Sequence, residues 1–460
     1  MSLLIKNGRI VTGDSDYIAD IYCRDEQITA IGRDLGISSA DEVIDATGKF
    51  VFPGFIDPHV HVYLPFMGTS AKDDYRSVSQ AALVGGTTTL IEMCCPAATD
   101  CPVEAFNQWR SNAQHAAVDY SFHMGVTAFN DQTETKLKSI VDQGIRSFKI
   151  FLAYEGAFGI GDRELFRTLE LANRLGVVVT AHCENAVLIS QLQQRLLAAG
   201  KTGPQYHEPS RPEIVEVEGV KRLMTFAELT DCPVYVVHTS CQPAIDAIQA
   251  ARQRGVRAWI ETVIPFLVLD KSAAERPDFE GAKFVMSPPI RHQRNQPLLW
   301  NALSNHVIDT VATDHAPFDL AQKRMGQNDF TKIPNGIPSV EHRIQLLYTH
   351  GVHQGRIDLS RFVQVASTQA AKIFGLYPQK GTIQIGSDAD LVVFDPDYRG
   401  VISAATHSMQ VDYSAFEGWP IVGRSEWVTV RGAVQVRHGQ FVGEFGRGQF
   451  LGQRIAQESW

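Results

Sequence analysis

The two ends of this chain share a rhythm that its long middle lacks, and that contrast limits the fold more than any other feature. Apolar and polar residues alternate at period two from Leu3 to Val11, around Ile18 to Ile31, and from Glu42 to Val51. The same texture returns at Gly381 to Gly386, Ala389 to Phe394 and Trp427 to Val442. Such alternation predicts short strands joined by Gly/Asp turns. Neither end alone has enough strands to bury a face, so the economical solution is one small β-sandwich built from both termini. The middle, from about Pro53 to Phe374, alternates short apolar runs with helical segments, as where Gly176 to Thr180 is followed by Glu184 to Leu197 at helical spacing. That punctuation predicts an α/β unit with parallel strands, inserted between the two halves of the sandwich.

Composition excludes several function classes. With 42 Lys+Arg against 51 Asp+Glu the formal charge is −9, and no basic run supplies the footprint that a nucleic-acid partner requires. No stretch approaches the roughly 18 consecutive apolar residues of a membrane span. Met1 to Asp14 has no apolar leader core, so no membrane partner and a cytoplasmic location are expected. Hydrophobic residues make up 44% of the chain, enough to offset chain entropy over one large core. The seven cysteines are odd in number and form no CxxC pairs, which predicts buried thiols in a reducing compartment rather than a disulfide framework.

Five apolar runs of the middle end in, or enclose, a residue able to bind or bridge a metal, and the C-terminal ends of strands are where a parallel barrel carries its chemistry. Phe52 to His61 ends in two histidines two apart, whose imidazoles point to one side of an extended chain. Gly144 to Phe151 buries Lys149 in an apolar strand. A desolvated amine there could take up CO2 as a carbamate, an anion with two oxygens to span two ions. Val177 to His182 and Cys232 to His238 are β-branched runs ending in histidine, and Val307 to His315 ends in Asp314 after a buried strand. Four neutral imidazoles, one potential bridging anion and one carboxylate suit zinc and exceed one tetrahedral ion, so two ions sharing an anion are expected.

Taken in order, Gly-Phe-Ile-Asp-Pro-His59-Val-His61, Ser-Phe-Lys149-Ile-Phe, Ala-His182-Cys-Glu-Asn, Val-Val-His238-Thr-Ser and Thr-Asp314-His-Ala-Pro-Phe resemble the cyclic amidohydrolases of the amidohydrolase superfamily. The bacterial D-hydantoinases and dihydropyrimidinases are the nearest in pattern. The resemblance spans essentially the whole chain, since Lys380 to Asp390 and Val411 to Gly418 also look like that family's C-terminal segments. It implies a TIM-like (β/α)8 barrel over residues 53–374, a β-sandwich from residues 1–52 plus 375–442, and a C-terminal tail over 443–460. It further implies two divalent metal ions per subunit, zinc first with manganese or cobalt as alternatives, and an N6-carboxylysine at Lys149. His59 and His61 would hold the more buried ion, joined by Asp314; His182 and His238 would hold the more exposed one, with Lys149 bridging. Tyr154, Ser287 and Asn335 carry over as substrate contacts. A homotetramer and D-selectivity are implied likewise.

The resemblance also carries a reaction: a hydroxide bridging two metal ions opens the ring amide of a 5-substituted hydantoin or dihydropyrimidine to an N-carbamoyl amino acid. Asp314 would pass the proton to the departing nitrogen and Tyr154 would donate to the oxyanion. Dihydroorotases carry an arginine two residues beyond the second histidine to grip a carboxylate; here that position is Tyr63, so a small neutral cyclic amide is expected. Leu64, Phe66, Phe151 and Phe158 would form an apolar wall around the exocyclic group. Ala316, often cysteine in the family, and Glu155, often lysine, depart from the pattern and bear on substrate preference. The alternatives are an allantoinase, and a non-enzymatic interaction protein of the same fold like the collapsin response mediator proteins.

Overall fold

The computed structural model describes residues 2–37 and 39–455. Its strands run in chain order β1 (Ser2–Val11), β2 (Asp16–Arg24), β3 (Gln27–Gly32), β4 (Glu42–Asp45), β5 (Phe50–Pro53), β6 (Phe55–Val60), β7 (Pro65–Phe66), β8 (Thr69–Ser70), β9 (Thr87–Cys94), β10 (Asp119–Gly125) and β11 (Ser147–Phe151). They continue as β12 (Val178–His182), β13 (Val234–Val236), β14 (Ala258–Val263), β15 (Thr310–Ala312), β16 (Leu391–Val401), β17 (Pro420–Val430), β18 (Ala433–Arg437) and β19 (Gln440–Phe441). Among the described residues, eight strands form a parallel sheet in the order β15-β14-β13-β12-β11-β10-β9-β6. A parallel bridge between Val60 and His315 brings its two ends together as a barrel. The same described residues contain no helix long and apolar enough to cross a membrane.

The alternation seen in the sequence builds this barrel locally. The helix Asp162–Leu175 buries Leu165, Thr168, Leu169 and Ala172 at helical spacing, and Gly176 ends it in the left-handed conformation at φ +64°. Chain direction then reverses into the apolar run of β12. Where the barrel closes, the fully buried Arg343 donates to Ile56 O (2.7 Å) and Val311 O (2.9 Å), tying the first strand to the last. Its charge faces the buried Asp57.

The terminal strands form one mixed sheet in the order β19-β18-β17-β16-β5-β1-β2-β3, with β4 also on β1. Side chains from both ends, including Ile5, Ile21, Ile44, Val51, Leu391 and Val393, share one apolar core, so the sheet folds around it as the alternation predicts. One expected strand is absent: Gly381 to Gly386 forms bends and a turn, not a strand. Gly386 sits at φ +91° and its N–H bonds Ile28 O, so the segment caps the edge of β3 instead of extending the sheet. Its apolar alternation packs a turn against that edge, and period two alone does not separate the two cases.

A buried ionic knot ties this sheet to the N-terminal end of the barrel. Lys380 Nζ lies 2.6 Å from Asp119, 3.0 Å from Asp388 and 2.7 Å from Asp390, and Arg431 also pairs with Asp119. The expected C-terminal tail joins here: Tyr120 and Leu451 exchange main-chain bonds with Gln449 and Tyr120, and Gln453 accepts from Arg146 N. Its last five positions, 456–460, lie outside the described residues. Removing one partner from such a knot leaves buried charge uncompensated, so Lys380→Met should cost about 3–5 kcal/mol, read as a lower denaturation midpoint. A midpoint equal to wild type would show that the three carboxylates do not depend on Lys380.

Candidate active site and metal centre

All six donors predicted from the strand ends come together at the C-terminal mouth of the barrel. His59 Nε2 and His61 Nε2 lie 3.1 and 3.2 Å from Asp314 Oδ1, and the three ligand atoms fall within 4.8 Å of one another. On the other side, His182 Nδ1 faces His238 Nε2 at 3.0 Å. The His59 and His238 rings are 5.3 Å apart, which joins the two clusters. Lys149 reaches the same place from β11, fully buried, and its Nζ has no hydrogen-bond partner among the described residues. Buried polar atoms are normally paired. Here His59 Nε2, although close to Asp314, is also left without a hydrogen bond. Bare nitrogens and a carboxylate converging on one spot fit a cation, and an amine without partners beside them fits conversion to an anionic bridge.

Two carboxylates behind the histidines fix which ring nitrogen is presented. Glu261 Oε1 lies 2.7 Å from His59 Nδ1, so that nitrogen carries the proton and Nε2 offers its lone pair. Glu261 also accepts from His238 N at 2.9 Å and from the Tyr235 hydroxyl at 2.8 Å, locking β6 and β13 to the same anchor. Glu184 Oε2 lies 2.9 Å from His182 Nε2, which turns Nδ1 inward, and Arg211 neutralises Glu184 at 2.5 Å. Burial alone would raise the Glu184 pKa, yet Arg211 and His182 hold it down to about 2.

The titration properties suit ligands. Burial pushes the His61 pKa down to about 4 and lowers His182 and His238 as well, keeping these imidazoles neutral. For His59 burial is again the largest influence, but the Glu261 and Asp314 carboxylates together outweigh it and the net direction is upward. Burial lowers Lys149 against the opposing pull of Asp314 and Glu261. Asp314 is held well below the ordinary carboxylate range because His59 and His61 outweigh its burial. Backbone strain gathers here too. His238, Asp314 and Tyr154 adopt φ of +37°, +50° and +62°. Each such non-glycine conformation costs about 1 kcal/mol or more and persists where surrounding contacts enforce it.

A cavity of about 460 Å³ opens over the donors. Beyond the six donors it is lined by Leu64, Phe66, Phe151, Tyr154, Phe158, Ser287, Ala316, Asn335 and Gly336, which include every substrate contact expected from the sequence. Phe66 meets Tyr154 edge-on at 5.3 Å and stacks on Phe158 at 6.2 Å. Asn335 Nδ2 donates to Ser287 Oγ at 2.8 Å. Burial raises the Tyr154 phenol to about 12, so it stays a hydroxyl donor at neutral pH. A wider outer chamber of about 1260 Å³ continues past Phe66, Tyr154 and Phe158, with Glu155 on its wall. Glu184 and Glu261 are additions to the expected set. Glu261 could have been found by the signal that marked Lys149, an ionisable group inside an apolar strand run, and Glu184 stands two residues beyond His182.

Comparison with known proteins agrees with this architecture. The profile of the amidohydrolase family matches residues 50–423. The chain is 46% identical over 454 residues to a D-hydantoinase of Geobacillus stearothermophilus, covering 98% of this chain and 96% of that protein. It is 38% identical over 457 residues to a dihydropyrimidinase of Rattus norvegicus, covering 98% and 88%. Among solved structures, a D-hydantoinase (dihydropyrimidinase) from Thermus sp. superposes with a TM-score of 0.97 at 58% identity, covering 99% of each chain. An L-hydantoinase (dihydropyrimidinase) from Arthrobacter aurescens superposes at 0.89 with 32% identity, covering 97% and 99%. Full-length identity of this order, over a barrel with its donors at the strand ends, places the chain in the amidohydrolase family, with the D-hydantoinases and dihydropyrimidinases.

Proposed function

We propose that this protein hydrolyses the ring amide bond of 5-substituted hydantoins or dihydropyrimidines to N-carbamoyl amino acids. The observation that carries the reading is one cavity with two walls: six donors, with His59 Nε2 and Lys149 Nζ unpartnered among the described residues, on one side, and Tyr154, Ser287 and Asn335 on the other. His59, His61 and Asp314 would hold one divalent cation, His182 and His238 a second, and carboxylated Lys149 would join them. Two such ions, zinc by donor chemistry with manganese or cobalt as alternatives, acidify a shared water and polarise a ring carbonyl when bound.

The chain's own groups do the rest. Asp314 turns Oδ1 toward the two histidines, leaving Oδ2 to accept the proton of the attacking water and return it to the departing ring nitrogen. Tyr154 donates its hydroxyl to the oxyanion. Ser287 and Asn335, held together by their own hydrogen bond, present donor and acceptor groups to the ring amides. Leu64, Phe66, Phe151 and Phe158 exclude water from the ring. Among the described residues lining the inner cavity the only cationic side chain is Lys149, and Arg211 in the outer chamber is paired with Glu184. A neutral ring therefore fits better than a carboxylate-bearing one.

Rates on a 5-substituted hydantoin, dihydrouracil and allantoin, with chiral analysis of the product, test the reading. Turnover of the first two, with a D-configured N-carbamoyl product from the hydantoin, is the expected result, and no turnover of any ring by metal-loaded protein would reject it. Tyr154→Phe should lower kcat by about 10²–10³ with metal content unchanged, the usual cost of one oxyanion donor. An unaltered kcat would remove Tyr154 from that role. A homotetramer, supported by the family resemblance, is checked by mass in solution.

A further inference from the structure

Lys323 lies outside the donor set, yet it is as deeply buried as Lys149. Its ammonium donates to three main-chain carbonyls, Val285 O at 3.0 Å, Pro334 O at 2.6 Å and Gly336 O at 2.8 Å. These carbonyls belong to two separate segments. Val285 stands two residues before Ser287, while Pro334 and Gly336 flank Asn335. The segments meet directly as well, through Gly336 N to Val285 O at 2.9 Å and the Asn335 to Ser287 bond. Gly336 must be glycine, since at φ +151° a Cβ would fall 2.3 Å from Ala316 O. The two loops are thus pressed together beside the cavity, and their carbonyls converge on one cation.

The short helix that ends in Lys323, Leu320–Lys323, makes a third attachment. Gln322 Nε2 donates to Thr69 Oγ1 at 2.6 Å and Ser70 O at 2.7 Å, on the hairpin β7–β8 that carries Phe66. Three walls of the cavity are therefore held from one turn of chain. Among the described residues no carboxylate offsets the ammonium, and burial pushes Lys323 down to about 7. Burying a cation for a purely apolar contact would be costly, and three oriented carbonyls are what it serves.

We propose that Lys323 is a positioning residue that sets Ser287 and Asn335 in register for the two amide groups of the bound ring. This rests on the proposed function for its substrate, but the clamp itself is a property of the chain. The donors for the cations and Asp314 are fixed separately, by Glu261, Glu184 and the Asp57–Thr313 bonds. Loss of the clamp should thus weaken ring binding far more than it slows the chemical step.

Lys323→Met keeps the chain length of the side chain and removes all three donors; Lys323→Gln keeps two N–H donors and serves if the methionine variant does not fold. Amide exchange in peptides spanning 284–290 and 333–338 should accelerate by at least about 10-fold, with peptides over 147–151 and 310–315 unchanged. KM should rise at least about 10-fold with kcat within a few-fold and metal content equal to wild type, and the glutamine variant should fall between. Unchanged exchange in both segments overturns the proposal. So does exchange raised throughout the barrel with kcat and metal lost together, which is the signature of general structural damage. A wild-type protein that turns over no cyclic ureide would sink the proposed function and leave the exchange measurement to decide the clamp.

Discussion

Lys149→Ala is expected to purify folded, depleted of divalent metal, and inactive on cyclic ureides. Folding should survive because Lys149 Nζ makes no hydrogen bond among the described residues, so its removal strands no buried partner. What disappears is the one amine among the described residues that lines the cavity with both histidine clusters. Burial lowers the Lys149 pKa, which favours the neutral amine over the ammonium, and it is the amine that attacks CO2. The carbon–nitrogen bond forms, one proton leaves, and the cation that would repel a metal becomes a carboxylate that attracts two. Alanine permits none of this. Changing a group outside the ligand shell already costs 10–100-fold, so losing the bridge itself should cost more than about 100-fold in activity.

Three readouts separate this account from simple damage. Elemental analysis should show at least one cation missing per chain. Lys149→Met, which fills the same space with an apolar chain, should behave like alanine, excluding a packing defect as the cause. Added short-chain carboxylic acids should restore part of the activity to the alanine protein by lodging where the carbamate would sit, and not to the methionine protein, where the space is full. A Lys149→Ala protein with full metal and full turnover would reject the bridging role outright.

The six donors were legible because each ends or interrupts an apolar run, and strand ends are where a parallel barrel exposes side chains to its mouth. The ordering of His59, Lys149, His182, His238 and Asp314 along the chain, with helical segments between, already contained the barrel. Other features depend on contacts remote in sequence. Lys323 occurs among polar residues near Gln322 and Arg324, where a lysine is ordinarily solvated, and only the fold brings Val285, Pro334 and Gly336 around it. The knot of Asp119, Lys380, Asp390 and Arg431 joins positions more than 250 residues apart, and no local pattern reports it. Gly381 to Gly386 shows the opposite failure, since alternation there packs a turn against β3. Periodicity reports which side of the chain is buried, and the hydrogen-bond partner decides whether the result is a strand.

Asp314→Asn should retain metal and lose turnover, a separation that few other substitutions in this site can make. Asparagine is the nearest isostere, and it is among the non-glycine residues that best tolerate the left-handed φ of +50° required at this position. The segment is also fixed from outside the residue. Thr313 donates from Oγ1 to Asp57 Oδ2 at 2.6 Å, while Asp57 Oδ1 accepts from His59 N at 3.3 Å, so one buried carboxylate sets the histidine strand and the Asp314 turn together. The amide oxygen can therefore occupy the place of Oδ1, 3.1 and 3.2 Å from the two imidazoles. What it lacks is a site that takes a proton near neutral pH. With His59 and His61 holding Asp314 well below the usual carboxylate range, the wild-type group is ionised there, and Oδ2, turned away from the two histidines, is the oxygen left to receive a proton. Losing a positioned general base costs about 10²–10⁴ in rate, so kcat should fall by that factor while KM stays within a few-fold. Metal analysis beside the kinetics makes the result decisive. Metal retained with kcat collapsed identifies Asp314 as the proton carrier, metal lost in proportion to kcat reduces it to a ligand, and an unchanged kcat removes it from the chemistry altogether.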